Sequence, residues 1–423
     1  MARHGKQHYT LIEFGTDKIC VLYGTQDENG APKILSFAQK SSGGCISKGM
    51  IIDYNNCLKI LKQTLNDADK NRRMLDGDKG DIFFSINGYP TFTTQGSGTV
   101  LMGDAGKKIT AEHIDRAVDQ ARNIPEPADR VRIGVYDSYF VIDSTSTCRD
   151  PRGQLAERLD AFMHLVYTER KRVDRINAML RELGFEQGGE AVPAGIMPVY
   201  SALTEDERNQ GAILIDMGAG ITTYAVIAMD GVLLSGAIPA GRDNIANDLA
   251  VGLEIPYDYA QTFIRESRLR KMRDEGSNYL EYTSSPTTKK RRIPLDSFEK
   301  IIMLRMREIF SLIRDQVEAK QLLHHVGTGC VLTGGGAMID ASCNVLQDVM
   351  GLHTRIGEPS GVSGANGMFP YAPCCYAGLI GMMKYAINLG ADDGTPGKFG
   401  DTIADMFDDV VNKIRRTRGA IKI

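Results

Sequence analysis

The chain lacks the features that would indicate an oxidising compartment or a nucleic-acid partner. Its 8 cysteines show no paired Cys-x-x-Cys spacing, and its first residues, Met1–Tyr9, are polar with no apolar signal segment. Both observations predict a reducing cytoplasm. The formal net charge is only −3, so no nucleic-acid partner is expected.

Long uninterrupted hydrophobic runs are also missing. The most apolar stretch, 212–240, is broken by Asp216 and Asp230, and the run at 372–383 ends at Lys384, too short to span a bilayer. No transmembrane helix is predicted. With 423 residues, of which 42% are hydrophobic and 24% charged, the composition predicts a soluble protein of two or more domains.

The chain contains one motif twice: an apolar run, a carboxylate, a glycine turn and a second apolar run. Glu13 precedes the turn in segment 11–18, and Asp216 precedes it in segment 214–220. A strand would carry each carboxylate at its tip, and the glycine turn would aim backbone N–H groups at phosphate oxygens. Because Mg²⁺ needs only one or two nearby protein carboxylates, Glu13 and Asp216 are predicted to bind it through water.

This motif lies inside a larger internal duplication. Strands are predicted at 9–14, 18–23 and 33–40, followed by a helix over 55–73. The same order recurs with strands at 212–216, 222–228 and 232–239 and a helix from about Asn244. A duplicated sheet unit is a more specific signal than either loop alone.

A third glycine turn, Gly334–Gly336, follows a short predicted strand at 330–333. Glycines at such a turn let a flat nucleoside lie against the backbone. A single turn is equally consistent with a plain connection between elements, but three turns, two of them in a duplicated unit, predict a nucleotide site.

Two further segments stand apart from the duplicated units. Residues 81–167 are predicted to form an inserted α/β module, with a helix at 111–123 and strands at 81–86 and 131–142. Residues 265–294 are polar and basic. They predict a surface excursion, which is either a solvated loop or a charged binding surface.

Together these motifs resemble the actin, Hsp70 and sugar-kinase superfamily, and within it the FtsA family of bacterial cell division. The runs Leu203–Glu207, Asp248–Ala250 and Arg355–Gly357 are similar to that family's connections, and the resemblance extends from Thr10 to about Tyr385. It implies an α/β protein with an actin-like two-lobed ATPase fold, a duplicated mixed sheet and an inserted FtsA-type 1C (SHS2-like) subdomain. The implied divisions are 1A at 8–81, 166–204 and 366–390; 1C at 82–165; 2A at 205–241 and 301–365; 2B at 242–300; a linker at 391–398; and an amphipathic membrane-targeting helix at 399–423.

The resemblance also implies that ATP and Mg²⁺ bind in a cleft between the lobes. Matched position by position, the implied nucleotide-binding residues belong to the two loops, the adenosine turn and the turn before the next helix: Glu13, Gly15, Thr16, Lys18, Asp216, Gly218, Ala219, Gly220, Gly241, Asn244, Gly334, Gly335 and Gly336. Arg305 and Glu308 would flank the adenine, although their spacing equally fits an ion pair on a helix face.

Four residues depart from the family pattern in ways that bear on hydrolysis. Ile221 and Thr223 stand where the second motif usually has Thr and Asp, and Ala219 replaces a frequent glycine. Ala194 lies where hydrolysing actins carry a polar residue that orients the attacking water. Backbone amides remain available, so we expect ATP binding with weak or absent ATPase activity and assign no catalytic residue.

The resemblance implies binding partners for the tail and for the basic segment. Phe399–Ile423 has an apolar arc of roughly 140° at helical spacing and a basic end, so it either lies on a membrane or docks on the protein body; the resemblance favours the membrane. The family implies a self-polymer on the cytoplasmic side of the inner membrane at the division site. Its other implied partners are the C-terminal peptide of FtsZ, bound at Arg268–Arg292, and downstream divisome proteins.

Other functions on the same superfamily scaffold make different demands on the chain. A small-molecule kinase would need a base beside an acceptor hydroxyl, and none is assignable. A PilM-like type IV pilus assembly scaffold would carry the inserted module without needing a lipid-binding tail. An Hsp70-like chaperone would need a peptide-binding domain after the adenosine turn, and none is predicted.

Overall fold

The computed structural model describes residues 7–71, 80–103, 106–283, 290–365 and 367–391. The first lobe and the inserted module contain, in chain order, β1 (His8–Phe14), β2 (Lys18–Gln26), β3 (Pro32–Ser41), β4 (Ile46–Ser47), β5 (Met50–Ile51), α1 (Tyr54–Asn71), β6 (Asp81–Ile86), β7 (Thr91–Leu101), β8 (Lys107–Lys108), α2 (Ala111–Arg122), β9 (Arg130–Ile142), β10 (Ser146–Cys148), β11 (Leu155–Ala156), β12 (Arg158–Glu169), α3 (Arg170–Glu182), β13 (Glu190–Pro193) and α4 (Val199–Ala202).

The second lobe follows, and the chain then returns to the first lobe in the last helix that the structure describes. These elements are α5 (Glu205–Gln210), β14 (Ala212–Met217), β15 (Thr222–Ala228), β16 (Gly231–Ile238), α6 (Arg242–Leu253), α7 (Tyr257–Arg265), α8 (Arg268–Asp274), β17 (Tyr279–Tyr282), β18 (Arg291–Pro294), α9 (Leu295–Ala319), β19 (Gly329–Thr333), α10 (Ser342–Met350), β20 (Thr354–Ile356) and α11 (Ala377–Ala391).

The two large sheets have the same topology. The first has the order β13-β6-β1-β2-β3 and the second β16-β15-β14-β19-β20. In each, three strands form an antiparallel meander, and two later strands run parallel to the first strand of that meander. The duplication predicted from the sequence is therefore confirmed across the whole sheet.

Burial explains why the central strands are almost continuously apolar. In β14, Ile213 and Ile215 belong to the core beneath α6 and α9, whereas Leu214 belongs to the core shared with the first lobe. A strand covered on both faces needs apolar residues at every position, not at alternate ones. The one polar residue of β14 is the half-buried Asp216 near the carboxyl end of the strand.

The inserted module is a separate layer with its own core. Its sheet has the order β10-β9-β12-β7, and α2 packs across it. The strand 81–86, which we predicted as part of this module, instead pairs in parallel with β1 and β13 in the first sheet. Its apolar run is buried there, so the sheet of the module begins at Thr91 and ends at Glu169.

The predicted surface excursion at 265–294 is more ordered than we expected. It contains α8 and the hairpin of β17 and β18, and Leu269, Leu280 and Ile293 are buried in the core of the second lobe. Every second residue of β17 faces this core. The described residues of the segment form a folded edge of the lobe, with basic side chains on its outside.

Some predictions fall outside this description. Of the linker predicted at 391–398, only Ala391 is described, as the last residue of α11. The rest of the linker, the amphipathic tail at 399–423 and residues 284–289 of the basic segment lie outside the described residues. Among the helices that are described, none is both long and apolar enough to cross a membrane.

Candidate functional site

The two predicted loops have the same backbone closure. In the first loop, residues 15–18, Gly15 donates its N–H to the carbonyl of Lys18 at 2.9 Å; in the second loop, residues 218–221, Gly218 donates to Ile221 at 2.8 Å. A Cβ on either glycine would lie within 2.9 Å of that carbonyl oxygen, a separation too short for a stable contact. Glycine is therefore required at the start of both turns, which is the physical reason for the repeated motif.

The loops face each other across a cleft between the lobes. A Cβ added to Gly220 would lie 2.8 Å from Oγ1 of Thr16, so the loop tips nearly touch. The cleft contains about 1080 Å³ of empty space and is open to solvent on one side. Ten of the residues predicted from the sequence line it: Glu13, Gly15, Thr16, Lys18, Asp216, Gly218, Ala219, Gly220, Gly334 and Gly335.

Two carboxylates share the floor of this cleft. Burial raises the pKa of Glu13, and burial together with the charge of Glu13 raises the pKa of Asp216 to about 7. One oxygen of Glu13, Oε2, is buried without a hydrogen-bond partner. A Cβ added to Gly378 would lie 3.9 Å from an oxygen of each carboxylate, so both face one small space.

This arrangement fits a hydrated divalent cation. Two half-buried, mutually repelling carboxylates gain stability when a positive charge is placed near both, and Mg²⁺ requires few direct protein ligands because it keeps most of its water. Within the described ranges, no cluster of three or more metal-ligating side chains occurs. Binding through water to Glu13 and Asp216 is therefore the form of metal site that these residues support.

The third glycine turn closes one end of the cleft. Gly334 has φ +79°, and a Cβ there would lie 2.1 Å from Oδ1 of Asp216, so only glycine fits. Gly335 lies beneath the guanidinium of Arg242, and Gly336 packs against the side chain of Met217. Gly334 and Gly335 thus face the cleft, while Gly336 lets the turn lie close to the second sheet.

Gly241 and Asn244 support the second loop from behind and do not line the cleft. A Cβ on Gly241 would approach the carbonyl oxygens of Gly218 and Ala219 at 2.6 and 2.5 Å. Asn244 Oδ1 accepts a hydrogen bond from the N–H of Gly241 at 3.0 Å, and the N–H of Arg242 donates to the carbonyl of Gly218 at 3.1 Å. The start of α6 is consequently fixed to this loop.

Arg305 and Glu308 also lie outside the cleft lining. Arg305 makes a two-pronged ion pair with Asp248, at 2.5 and 2.9 Å, and its third donor reaches Glu308 at 2.7 Å. The contact with Glu308 is the ion pair on α9 that was the alternative to the adenine-flanking role, whereas the pair with Asp248 joins α9 to α6.

Sequence reasoning missed three of the six charged side chains in the cleft lining, and it also missed the neutral side chain of Asn87. Asp17, Asn87, Arg242 and Arg265 all line it. Asp17 and Arg242 are each adjacent in sequence to a predicted residue, and this adjacency is the signal that could have identified them. Lys18, which was predicted, places Nζ 3.4 Å from the carbonyl oxygen of Cys375 and 3.8 Å from the ring centre of Tyr376.

The four residues that depart from the family pattern are all among the described residues, and Ala219 lines the cleft. Ile221 and Thr223 line the cleft, and both are buried. Ala194 donates its N–H to the carbonyl of Ile86 at 2.9 Å, so its backbone is fixed and its methyl side chain cannot orient water. Asn87, another polar side chain in the cleft lining, donates from Nδ2 to the carbonyl of Phe14 at 2.6 Å.

Known proteins resemble the chain over nearly its whole length. Residues 91–167 match the model of the SHS2 domain inserted in FtsA, and residues 213–373 match that of cell division protein FtsA. The chain is 24% identical to cell division protein FtsA of Pseudomonas aeruginosa over 383 residues, covering 90% of this chain and 89% of that one. It is 26% identical to the protein of the same name from Borreliella burgdorferi over 360 residues, covering 84% and 85%.

A solved structure shares the fold. The PilM–PilN type IV pilus biogenesis complex superposes with a TM-score of 0.56 at 15% identity, covering 89% of this chain and 97% of that one. This likeness shows an actin-like fold, as the duplicated sheets predict. Because both matching family models are models of FtsA and the relatives cover the chain almost end to end, this chain belongs to the FtsA family of cell division proteins.

Proposed function

We propose that this chain is an ATP-binding cell-division protein that polymerises on the cytoplasmic face of the membrane and anchors the FtsZ ring there. The observation that carries the proposal is the pair of identically closed loops, which face each other over two half-buried carboxylates. Backbone amides of both loops would bind the phosphate oxygens of ATP. Magnesium, bound through water beside Glu13 and Asp216, would neutralise the charge of the polyphosphate.

Binding, and not turnover, is the proposed use of the nucleotide. Ile221 lacks a hydroxyl, and Ala194 offers only a methyl group to an attacking water. We therefore expect the bound nucleotide to change the relation of the two lobes and so control assembly, with weak or absent hydrolysis.

The basic segment is proposed to receive an acidic peptide of FtsZ. Several of its cations already pair with local carboxylates: Arg273 with Asp296 and Glu299, and Arg292 with Glu281. An incoming acidic peptide would exchange with these exposed partners, so its binding should be modest and should weaken with salt.

Membrane attachment is proposed for the tail, Phe399–Ile423. The test is co-sedimentation with liposomes containing anionic lipid, with and without Mg·ATP, for the full chain and for a chain ending at Gly397. The full chain should sediment with liposomes and the shortened chain should not. Equal sedimentation of both, or of neither, would contradict a tail-dependent tether.

Nucleotide control of assembly is tested by the substitution Asp216→Ala. Pelleting of the unchanged chain should depend on Mg·ATP, and the variant should lose that dependence. Nucleotide-dependent assembly of the variant at the level of the unchanged chain would contradict the proposed site.

A further inference from the structure

A charged bridge joins the two lobes at the mouth of the cleft. Asp17 lies in the first loop, whereas Arg242 begins α6 in the second lobe. Arg242 Nη2 donates to Asp17 Oδ2 at 3.3 Å, and Arg265 Nη2 lies 3.9 Å from Asp17 Oδ1. The side chains of Asp17 and Arg242 are only 22% and 17% exposed, so solvent screens this pair less than a surface ion pair.

Arg242 has donor capacity that the bridge does not use. Its Nε is buried without a hydrogen-bond partner. The guanidinium lies over Gly335, where an added Cβ would approach Cζ at 2.8 Å. The group therefore stands between the first loop and the third glycine turn, with a free N–H in the cleft wall.

The cation that the sequence predicted for the cleft, Lys18, is less available. Lys18 Nζ lies against the ring of Tyr376 and the carbonyl oxygen of Cys375, which are neutral partners. The second loop itself, 218–221, contains no basic residue. Arg242 and Arg265 are thus the cations that the second lobe contributes to the cleft lining.

We infer that Arg242 binds the polyphosphate of the nucleotide and that Asp17 competes for the same guanidinium when the cleft is empty. A guanidinium can donate two parallel hydrogen bonds to phosphate oxygens, which carry more charge than one carboxylate. Binding of the nucleotide would then exchange the partner of Arg242 and release the bridge between the lobes. The inference rests on the proposed ATP binding and identifies the side chain that links it to lobe movement.

The exchange makes opposite predictions for the two partners. Asp17→Asn removes a competitor and should raise the affinity for Mg·ATP by about two- to fivefold, the range expected for a partly exposed ion pair. Arg242→Ala should lower it by about tenfold to a hundredfold, because a charge-assisted hydrogen bond is lost. Arg242→Lys keeps the charge without the two-pronged geometry, so its affinity for Mg·ATP should lie between those of the unchanged chain and Arg242→Ala.

Isothermal titration with Mg·ATP, and separately with adenosine, tests the inference on the full chain. The Arg242 variants should lose affinity for Mg·ATP while keeping their affinity for adenosine, which has no phosphate. Asp67→Asn is the matched control, because Asp67 pairs with Lys40 on the surface of the first lobe and should leave both affinities unchanged. Thermal melting of each variant checks that the fold is retained.

The outcomes separate this inference from the proposed function. If Mg·ATP binds the unchanged chain and the Asp17 and Arg242 variants shift its affinity in the same direction, the bridge is only structural and the inference is wrong. Equal losses for Mg·ATP and adenosine would also overturn it. If the unchanged chain does not bind Mg·ATP at all, the proposed function fails, and the inference fails with it.

Discussion

Acid should weaken the contact between the inserted module and the second lobe through one buried histidine. His164 lies on β12 and is 5% exposed. Its Nε2 lies 2.8 Å from Oγ of Ser235 on β16. Beside this pair, Ser138 Oγ donates to the carbonyl of Val232 at 2.6 Å, so the module contacts the edge of the second sheet through polar groups.

The size and sign of the effect follow from the pKa of His164. Burial lowers this pKa from 6.5 to about 4, because the charged imidazolium is poorly solvated there. Well above pH 6.5 the ring is neutral in both the folded and the unfolded chain, so protonation of His164 does not reduce the free energy of unfolding. As the pH falls from 6.5 toward 4, only the unfolded chain gains the proton, so at pH 5 the free energy of unfolding should fall by about 2 kcal/mol.

Urea unfolding at pH 7.5 and pH 5.0 measures this loss. The substitution His164→Gln keeps a hydrogen-bonding group beside Ser235 but removes the titration, so the variant should lose about 2 kcal/mol less on acidification than the unchanged chain. Effects of carboxylates cancel in this comparison. His353→Gln, at an exposed histidine, is the matched control and should behave as the unchanged chain. Equal acid losses for the His164 variant and the unchanged chain would refute the reasoning.

Two further predictions concern the cleft. Gly220→Ala places a methyl group 2.8 Å from Oγ1 of Thr16, so the two loops must move apart. Calorimetric titration should then show at least about a tenfold loss of Mg·ATP affinity, with little change in melting temperature. An unchanged affinity would contradict the facing-loop geometry. Cys375 lines the cleft. Its pKa is lowered, first by the neighbouring Cys374 thiol and then by the charges of Lys18 and Arg242, whereas burial raises the pKa of Cys343. Iodoacetamide at pH 8 should therefore alkylate Cys375 faster than Cys343. Mg·ATP should slow the reaction at Cys375, as measured by mass spectrometry of digested protein, and equal rates at the two thiols would refute this.

The sequence was sufficient to predict the sheets and loops because their signals are local. A strand covered on both faces is apolar throughout, and the glycines that open both loops are required by carbonyl groups three residues later. The helix α1 has Leu61 and Leu65 buried at helical spacing, as predicted. Such features depend on residues that are close in sequence, so hydrophobic periodicity and turn residues are sufficient to predict them.

Features that depend on distant partners were not predictable in the same way. Asp17 and Arg242 are 225 residues apart, and nothing near either one indicates that they meet. The strand 81–86 is adjacent in sequence to the inserted module, yet its apolar run completes the first sheet. The order in the basic segment was missed because its alternation of buried and exposed residues is short and is dominated by charge.

The central claim is that one Mg·ATP binds between the facing loops, and calorimetric titration of the full chain tests it most directly. The account predicts binding with a stoichiometry of one, weakened at least about tenfold by chelation of Mg²⁺ or by Asp216→Asn, because each removes part of the charge balance around the polyphosphate. Absence of binding, or an affinity that neither change alters, would contradict it.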